Sequence, residues 1–584
     1  MRALNLSAIL HMPWLEYRHA LADGRVCLRV RVGRGDFESI AALYTEAYLD
    51  APEMETLKEA PMALAYRDEL HDVYEAVFAP VDPRIRYFFR LEEDGARFYL
   101  DQDGIFPESR MRKGGPVFFP YAYAYAAEEK PRWARGCVGY QIFPDRFRRE
   151  GGAQDGTVEP WTSANYANEY RFGGNLAGIR AAIPYLKTLG VGLVYMTPIF
   201  SSDTSHRYNT FDYFQIDPLL GTREELAALT DDLHAAGIRI ILDGVFNHCG
   251  LGFAPFQDAL KNGKDSAFYD WFFFDERYEC GYQTFGYWRY MPKLNLQNPR
   301  AQAYFLSVAR YWLEACRVDG WRLDVSPEVW PDFWRALRKT VKAVNPQALL
   351  VAECWDDARE WLTVGDMFDS TMHYVLSRSM WAFFAEREIS LQTFDARINK
   401  ALALYPHGTQ EVLWNFLSSH DTPRIISRGA GGERGLRMAA FFQMTHPGVP
   451  IVYYGDELGM RGGPDPDCRR PMAWDRIEGN RLLSYYRRLI ALRNANAPLR
   501  WGSFRTHALL GDVYAYRRET EDETALCALN TGDEPCDVLL SLEGAFTGEK
   551  RLRDLLRGKI YPVTAGAVRL RLKAGEGAVL GCEL

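Results

Sequence analysis

The chain has 584 residues, so several domains are expected rather than one. Its formal net charge of −8, with no Lys/Arg run, argues against a nucleic-acid partner and against an anionic substrate. No apolar run reaches the roughly 18 residues a membrane span needs, so no membrane partner is expected. Ten Cys are scattered with no C-x-x-C pair, which gives neither a zinc motif nor a disulfide framework. Reduced thiols in a cytoplasm are the simplest account of them. Asn5, His11 and Pro13 interrupt the N-terminus, which reads as folded chain rather than a signal peptide. The aromatic fraction of 14% suits either well-filled cores or flat platforms for pyranose rings.

Residues 1–125 read as a β-sandwich. Strands are expected at VCLRVRV (26–32), VYEAVFAP (73–80), IRYFFRLEE (85–93) and RFYLDQDGIF (97–106), with a hairpin turn at 93–95. PYAYAYAAEEKPRW (120–133) reads as a linker. Over 126–496 the pattern alternates between strands and helices. GCVGYQIF (136–143) is a strand, LAGIRAAIPYLKTLG (176–190) a helix and VGLVYMTPIF (191–200) a strand. REELAALTDDLHAAG (223–237) is a helix before the strand IRIILDGVF (238–246). QAYFLSVARYWLEAC (302–316) leads to VDGWRLDV (318–325), and DFWRALRKTVKAV (332–344) leads to ALLVAECW (348–355). MFDSTMHY, VLWNFLSS and GVPIVYYG supply the last strands. Eight strand–helix units suit an α/β fold of the (β/α)8 TIM-barrel kind better than an open sheet. Residues about 247–300, aromatic and with little helical period, form an inserted subdomain after the third strand. Residues 497–584 are strand-rich again and read as a C-terminal β-sandwich.

Catalytic groups of such a barrel lie at the C-terminal strand ends. There the third strand offers Asp243, Asn247 and His248, and the fourth Arg322 and Asp324. The fifth offers Glu353 and Trp355, and the seventh His420, Asp421 and Arg424. His206 and Tyr208 follow the second. One strand-end Asp is ordinarily a helix cap or an ion-pair partner. Several ionised groups gathered on one rim need another reason, because their desolvation and repulsion are unfavourable. Glycoside hydrolysis supplies one: a carboxylic acid protonates the leaving oxygen while a carboxylate attacks the anomeric carbon. Arg322 lies two residues before Asp324, so both point to the same side of one strand. Its charge is expected to keep Asp324 ionised, with Glu353 less directly paired and suited to acid duty.

The segments DGVFNH, GWRLDVSPE, AECW and FLSSHD resemble the four signature regions of the alpha-amylase family, in order and spacing, across roughly residues 137–490. The resemblance implies Asp324 as nucleophile, Glu353 as acid/base and Asp421 as a third carboxylate gripping sugar hydroxyls. His248 and His420 would hydrogen-bond the same sugar, Tyr208 would stack on it, and Asp243 would brace Arg322. His206, Asn247 and Arg424 are further substrate-side candidates. MPKLN (291–295) is similar to a marker of the neopullulanase, cyclomaltodextrinase and maltogenic amylase group. YYGDELGMRGGPDPDCRRPM (453–472) is similar to that group's segment after the eighth strand, where Asp465 and Arg469 would hold glucose at donor subsites. Trp355 matches an aromatic of the acceptor side; Tyr287 and Trp288 add an aromatic wall there or belong to the core.

The resemblance therefore implies cleavage of α-1,4-glucosidic bonds in cyclodextrins, maltooligosaccharides, pullulan or starch with retention. The alternative is a transglycosylase using the same covalent intermediate. The group's starch-binding-like N-terminal domain often mediates a homodimer. The group often binds calcium in an Asn/Asp-rich loop after FPDRF. Here RREGGAQDG follows, poor in oxygen ligands, so the segment offers little support for calcium and no cofactor is required. Ser326 and Pro327 stand where Ala and Asn are usual, before a retained Glu328, and Asn209 stands where Asp is usual.

Overall fold

The computed structural model describes residues 4–582 except 22, 49–56, 108–116, 120–129, 152–157 and 547. Most of the expected linker at 120–133, and the part of the expected calcium loop at 152–157, lie outside the described residues. Two compact units form. One comprises Met1–Lys130, Arg359–Gly365 and Ile389–Gln410; the other holds the rest of the chain.

The first unit is built on one eight-stranded antiparallel sheet. Alternate residues point inward, and Val26, Leu28, Val30 and Val32 join Ile85, Tyr87, Phe89 and Leu91 in a single buried cluster. The sequence reading missed the strands Ser39–Glu46 and Lys58–Arg67. The expected single strand at 97–106 is instead the hairpin Ala96–Asp101 and Gly104–Phe106. The Asp101 carboxylate accepts from the Asp103 N–H at 2.8 Å, and Gly104 adopts φ 130°, which turns the chain.

The second unit contains the barrel. Eight parallel strands begin at Gly139–Ile142 and Leu193–Met196 and continue through Arg239–Gly244, Gly320–Leu323 and Leu349–Ala352. Ser370–Thr371, Trp414–Phe416 and Val449–Tyr453 complete the set. Seven parallel pairings link them, and a parallel bridge between Met372 and Trp414 closes the ring. The strands are buried on both faces, so they read as apolar runs rather than as alternation.

Local signals set the helix limits. Thr222 and Glu225 form a reciprocal capping box before Arg223–Ala235. Asn298 caps Pro299–Cys316, three residues earlier than the periodicity alone suggests. The expected helix at 176–190 divides into Leu176–Ala181 and Ile183–Leu189, because Pro184 cannot continue the first segment's hydrogen bonds. The second strand stops at Met196; Phe200–Ser201 belongs to a separate hairpin with Asp212–Ile216. The inserted subdomain does contain a helix, Ala254–Asn262, and bridges such as His248–Lys293 tie it to the third strand's exit. The C-terminal segment forms a second eight-stranded antiparallel sheet, Ser503–Leu510 through Gly577–Cys582.

Gly320 opens the fourth barrel strand at φ 147°, where a Cβ would lie 2.0 Å from the Leu349 carbonyl oxygen. Neither partner can move without breaking the ladder. Gly320→Ala is therefore expected to destabilise the chain by about 2–4 kcal/mol, read as a lowered urea midpoint.

Candidate active site

The parallel register sets the site's geometry. Asp243 and Arg322 are direct partners on adjacent strands, and Asp324 and Glu353 each lie one residue beyond a strand end. The buried Arg322 guanidinium thus meets three carboxylates. Its Nη1 donates to both Asp243 oxygens at 3.0 Å and to Asp324 Oδ1 at 2.7 Å. Its Nη2 lies 3.0 Å from Glu353 Oε2, an ion pair off the hydrogen-bonding direction. This corrects the expectation that Glu353 is less directly paired: one Arg serves both carboxylates.

Glu353 has two further donors. The Val325 N–H reaches Oε2 at 2.9 Å, and the Trp355 Nε1 reaches Oε1 at 3.0 Å. Val325 takes φ 45°, an unfavourable conformation for a β-branched residue, and it aims that N–H. Trp355 is 42% exposed and stacks on Tyr374 with centroids 4.2 Å apart. Tyr374 escaped the sequence reading, since an aromatic beside a barrel strand reads equally as core.

A second layer surrounds Asp243. The Tyr195 hydroxyl and the Tyr208 hydroxyl both donate to its Oδ2, the latter at 2.9 Å. Tyr208 also hydrogen-bonds His420 Nε2, and the two rings lie nearly parallel, 4° apart. Gln141 amide nitrogen holds His420 Nδ1 at 2.7 Å, which orients the ring. His420 Nε2 is 3.1 Å from Asp421 Oδ2, and Arg469 Nη2 is 3.3 Å from Asp421 Oδ1. Arg469 Nη1 also reaches Asp465 at 2.7 Å and Asn168 at 3.0 Å. Asp421, Asp465 and Arg469 therefore share one polar wall. His248 stacks on Phe285 at 4.9 Å, and its buried Nε2 has no protein partner.

Other candidates hold the frame. Arg424 is fully enclosed; it donates to Asp456 at 2.8 Å and to the Tyr454 and Cys468 carbonyls. It braces the loop after the seventh strand, which corrects its reading as a substrate contact. Asn247 is likewise enclosed and accepts from Lys293 of the MPKLN segment. Lys293 also donates to the Glu328 carbonyl at 2.8 Å and is 3.1 Å from the Glu328 carboxylate. It thereby ties the inserted subdomain to the loop after Asp324. Buried His206 accepts the Tyr208 N–H at 3.0 Å. Asn209 amide and carbonyl groups bond Asp203, Ser202 and Thr204. Tyr287 is fully exposed and Trp288 half-exposed, so neither belongs to the core.

The electrostatics follow from burial. Burial raises the Asp324 carboxyl well above its ordinary range; the neighbouring Glu353 adds to this, and Arg322 only partly opposes it. This departs from the expectation that the Arg322 charge keeps Asp324 ionised: burial and Glu353 outweigh it. Burial lifts Asp243 to about 6 despite Arg322. Asp421 is raised by burial against Arg469 and Arg322. Burial holds His420 well below its usual value and His248 at about 3, so both imidazoles are neutral. This array offers one fixed cation, carboxyls raised by burial, and neutral hydrogen-bonding rings.

Comparison with known proteins gives the following. The model "Alpha amylase, catalytic domain" matches residues 141–481. "Alpha amylase, N-terminal ig-like domain" matches 4–125, and "Maltogenic Amylase, C-terminal domain" matches 510–576. Neopullulanase 2 of Thermoactinomyces vulgaris is 40% identical over 98% of this chain and 99% of its own. A cyclomaltodextrinase of Thermoanaerobacter pseudethanolicus is 38% identical over 91% of this chain and 94% of its own. A solved cyclomaltodextrinase structure superposes with a TM-score of 0.91 at 33% identity, covering 98% of this chain and all of the other.

Two outcomes are expected. Arg322→Lys keeps the charge and loses the fork that spans the carboxylates, so kcat/KM should fall about 100-fold or more. Because Asp243 is raised to about 6, the folded chain holds a proton there that the unfolded chain has released. That contribution to stability is present at low pH and is lost as pH rises through about 6. Against Asp243→Asn, the wild type should gain relative stability from pH 7 to pH 5 in paired unfolding curves.

Proposed function

The chain belongs to the alpha-amylase family of glycoside hydrolases, and on that premise we propose that it cleaves α-1,4-glucosidic bonds of small or cyclic α-glucans with retention. The observation that carries this reading is the engagement of Asp324 and Glu353 by one guanidinium. Two carboxylates gripped by one fork suit the roughly 5–5.5 Å separation of retaining enzymes. They do not suit the roughly 6.5–9.5 Å of inverting ones, which must admit a water between them.

In this reading Glu353 passes its proton to the glycosidic oxygen as the bond to C1 breaks. Asp324 attacks C1 and forms a covalent glucosyl ester. Water then attacks C1, Glu353 takes its proton, and Asp324 leaves as carboxylate. Asp421, His420 and His248 grip the hydroxyls of the reacting sugar. Neutral rings serve this duty, since each can donate and accept without a competing charge. Tyr208 lines the same sugar's ring face, while Asp465 and Arg469 serve donor sugars further out and Trp355 with Tyr374 receives the leaving glucan. The relatives' names, neopullulanase and cyclomaltodextrinase, support pullulan and cyclodextrins, and the proposal extends to maltooligosaccharides and starch as the same class of α-glucan.

We further propose a cytoplasmic location, supported by ten cysteines that are all unpaired. A homodimer through the N-terminal domain is part of the same proposal, and it rests on the family-model match at 4–125. None of the proposed catalytic steps needs a cofactor.

Glu353→Gln should lower kcat on β-cyclodextrin by about 100- to 10,000-fold, because the proton for the leaving oxygen is gone. Near-normal turnover in that variant would remove Glu353 from the role. A product time course on β-cyclodextrin, pullulan and starch should show the cyclodextrin opened fastest. Sedimentation of the full chain should give a dimer.

A further inference from the structure

We propose that His19, Cys27 and His407, in the first unit, form a binding site for a thiophilic divalent transition-metal ion of the zinc type. One ligand atom from each residue lies within 4.8 Å of the other two. His19 and Cys27 are direct partners across the antiparallel pair Arg18–Ala20 and Val26–Gly33, so both side chains stand on the same face. His407 begins the short segment His407–Gln410 and presents its N–H to His19 Nε2 at 3.5 Å.

The bland alternative is a buried polar network kept for packing. It accounts for part of the cluster. His407 Nε2 bonds Glu75 Oε2 at 2.9 Å, and Glu75 accepts from Arg29 Nε at 2.7 Å. It does not account for His19, which is 7% exposed and whose Nδ1 has no hydrogen-bond partner. An unpartnered buried ring nitrogen is unfavourable by about 1–3 kcal/mol; a metal at Nδ1 removes that penalty once the ring carries its proton on Nε2, which gives up the long 3.5 Å contact with the His407 N–H.

The chemistry of the set is specific. Two imidazoles and one thiol are the donors zinc prefers, and they exclude the oxygen-seeking calcium and magnesium ions. Burial and the Arg29 charge keep His19 neutral, which is the ligand form. The His407–Glu75 contact has the form of the carboxylate that orients a metal-bound imidazole. Burial, then Glu75, hold the Cys27 thiol well above its usual value against the opposing charge of Arg29, so the sulfur–metal bond itself has to drive loss of the proton. On binding, the Cys27 S–H bond breaks and the sulfur–metal bond forms. The proton leaves to solvent, and the imidazoles contribute lone pairs without changing charge. The His407 side chain is 24% exposed, which opens a path for the ion and a position for water. Metal–sulfur and metal–nitrogen distances of about 2.3 and 2.0 Å draw the three residues closer than they stand without the ion.

This departs from the sequence expectation. The absence of C-x-x-C argued against zinc, but spacing along the chain cannot report ligands that a sheet and a segment near residue 407 bring together.

The test uses the full-length, untagged chain stripped of metal by a chelator and titrated with Co²⁺. A thiolate-to-cobalt charge-transfer band should saturate at one equivalent and disappear when Zn²⁺ is added. Cys27→Ser should abolish the band, and His407→Gln should weaken binding about tenfold or more. Zn²⁺ should raise the Tm of the wild type and leave that of Cys27→Ser unchanged. Absence of the band in the wild type, or its persistence in Cys27→Ser, would overturn the proposal. If Cys27→Ser fails to fold by circular dichroism, His19→Asn and His407→Gln decide: unaltered cobalt affinity in both rejects the site.

Discussion

Everything in the catalytic unit turns on one buried guanidinium. Arg322 is fully enclosed and holds Asp243, Asp324 and Glu353 at once. Removing an Arg from water is unfavourable by several kcal/mol unless its donors are met, and a single carboxylate cannot meet a five-donor fork. Three carboxylates surround it, Asp243 and Asp324 hydrogen-bonded to Nη1 and Glu353 paired with Nη2 by charge, and together they carry more negative charge than one cation neutralises. The excess is what makes the site reactive. Burial pushes Asp243 up to about 6 and Asp324 well above its ordinary range, so both hold a proton more tightly than a free carboxyl does. A site that must donate and recover a proton in one cycle needs such a reserve.

The barrel makes this arrangement possible at tolerable strain. Register pairs Asp243 with Arg322 across two strands, so the ladder rather than a loop places the cation. Asp324 and Glu353 sit just beyond the ladder, where backbone can depart from strand geometry. Val325 uses that freedom, adopting a left-handed conformation that points its N–H at Glu353. Ser326 adds a second tie: its N–H donates to the Glu353 carbonyl at 3.2 Å, and its hydroxyl accepts the Glu353 N–H at 3.2 Å. The loop after Asp324 and the strand end that carries Glu353 are thus cross-linked through backbone, which fixes two carboxyls more firmly than side-chain packing alone.

The legible part of the molecule was that written in local order. Strand ends are local features, so Asp243, Arg322, Asp324, Glu353 and Asp421 could be read from DGVFNH, GWRLDV, AECW and SSHD. Gly190 and Gly237 mark helix ends because each takes φ near 80–90° (90° and 79°). What stayed hidden depends on contacts distant in sequence. Gln141 orients His420 from the first strand, and nothing in QIFPDRF announces it. Tyr374 receives Trp355 from the far side of a strand only two residues long. Arg424 looked like a rim residue because its strand end faces the site, yet its side chain turns back to Asp456. Strand position gives the direction of a Cα, and a long side chain can refuse it.

On the proposed roles, the same reasoning explains how a raised Asp324 would serve as nucleophile. Burial and the Glu353 charge set its upward shift. A sugar in the −1 position brings positive charge onto C1 as the leaving bond stretches. That charge develops directly beside Asp324 and favours its ionised form, the reverse of what Glu353 does. The leaving oxygen meanwhile needs a proton on the Glu353 side. On the proposed roles, substrate therefore draws negative charge to Asp324 while the leaving oxygen takes its proton from Glu353. Arg322 touches both and favours neither outcome alone, so the division of labour is imposed by the sugar. The enzyme's contribution is to hold the pair on one guanidinium, where the sugar meets both.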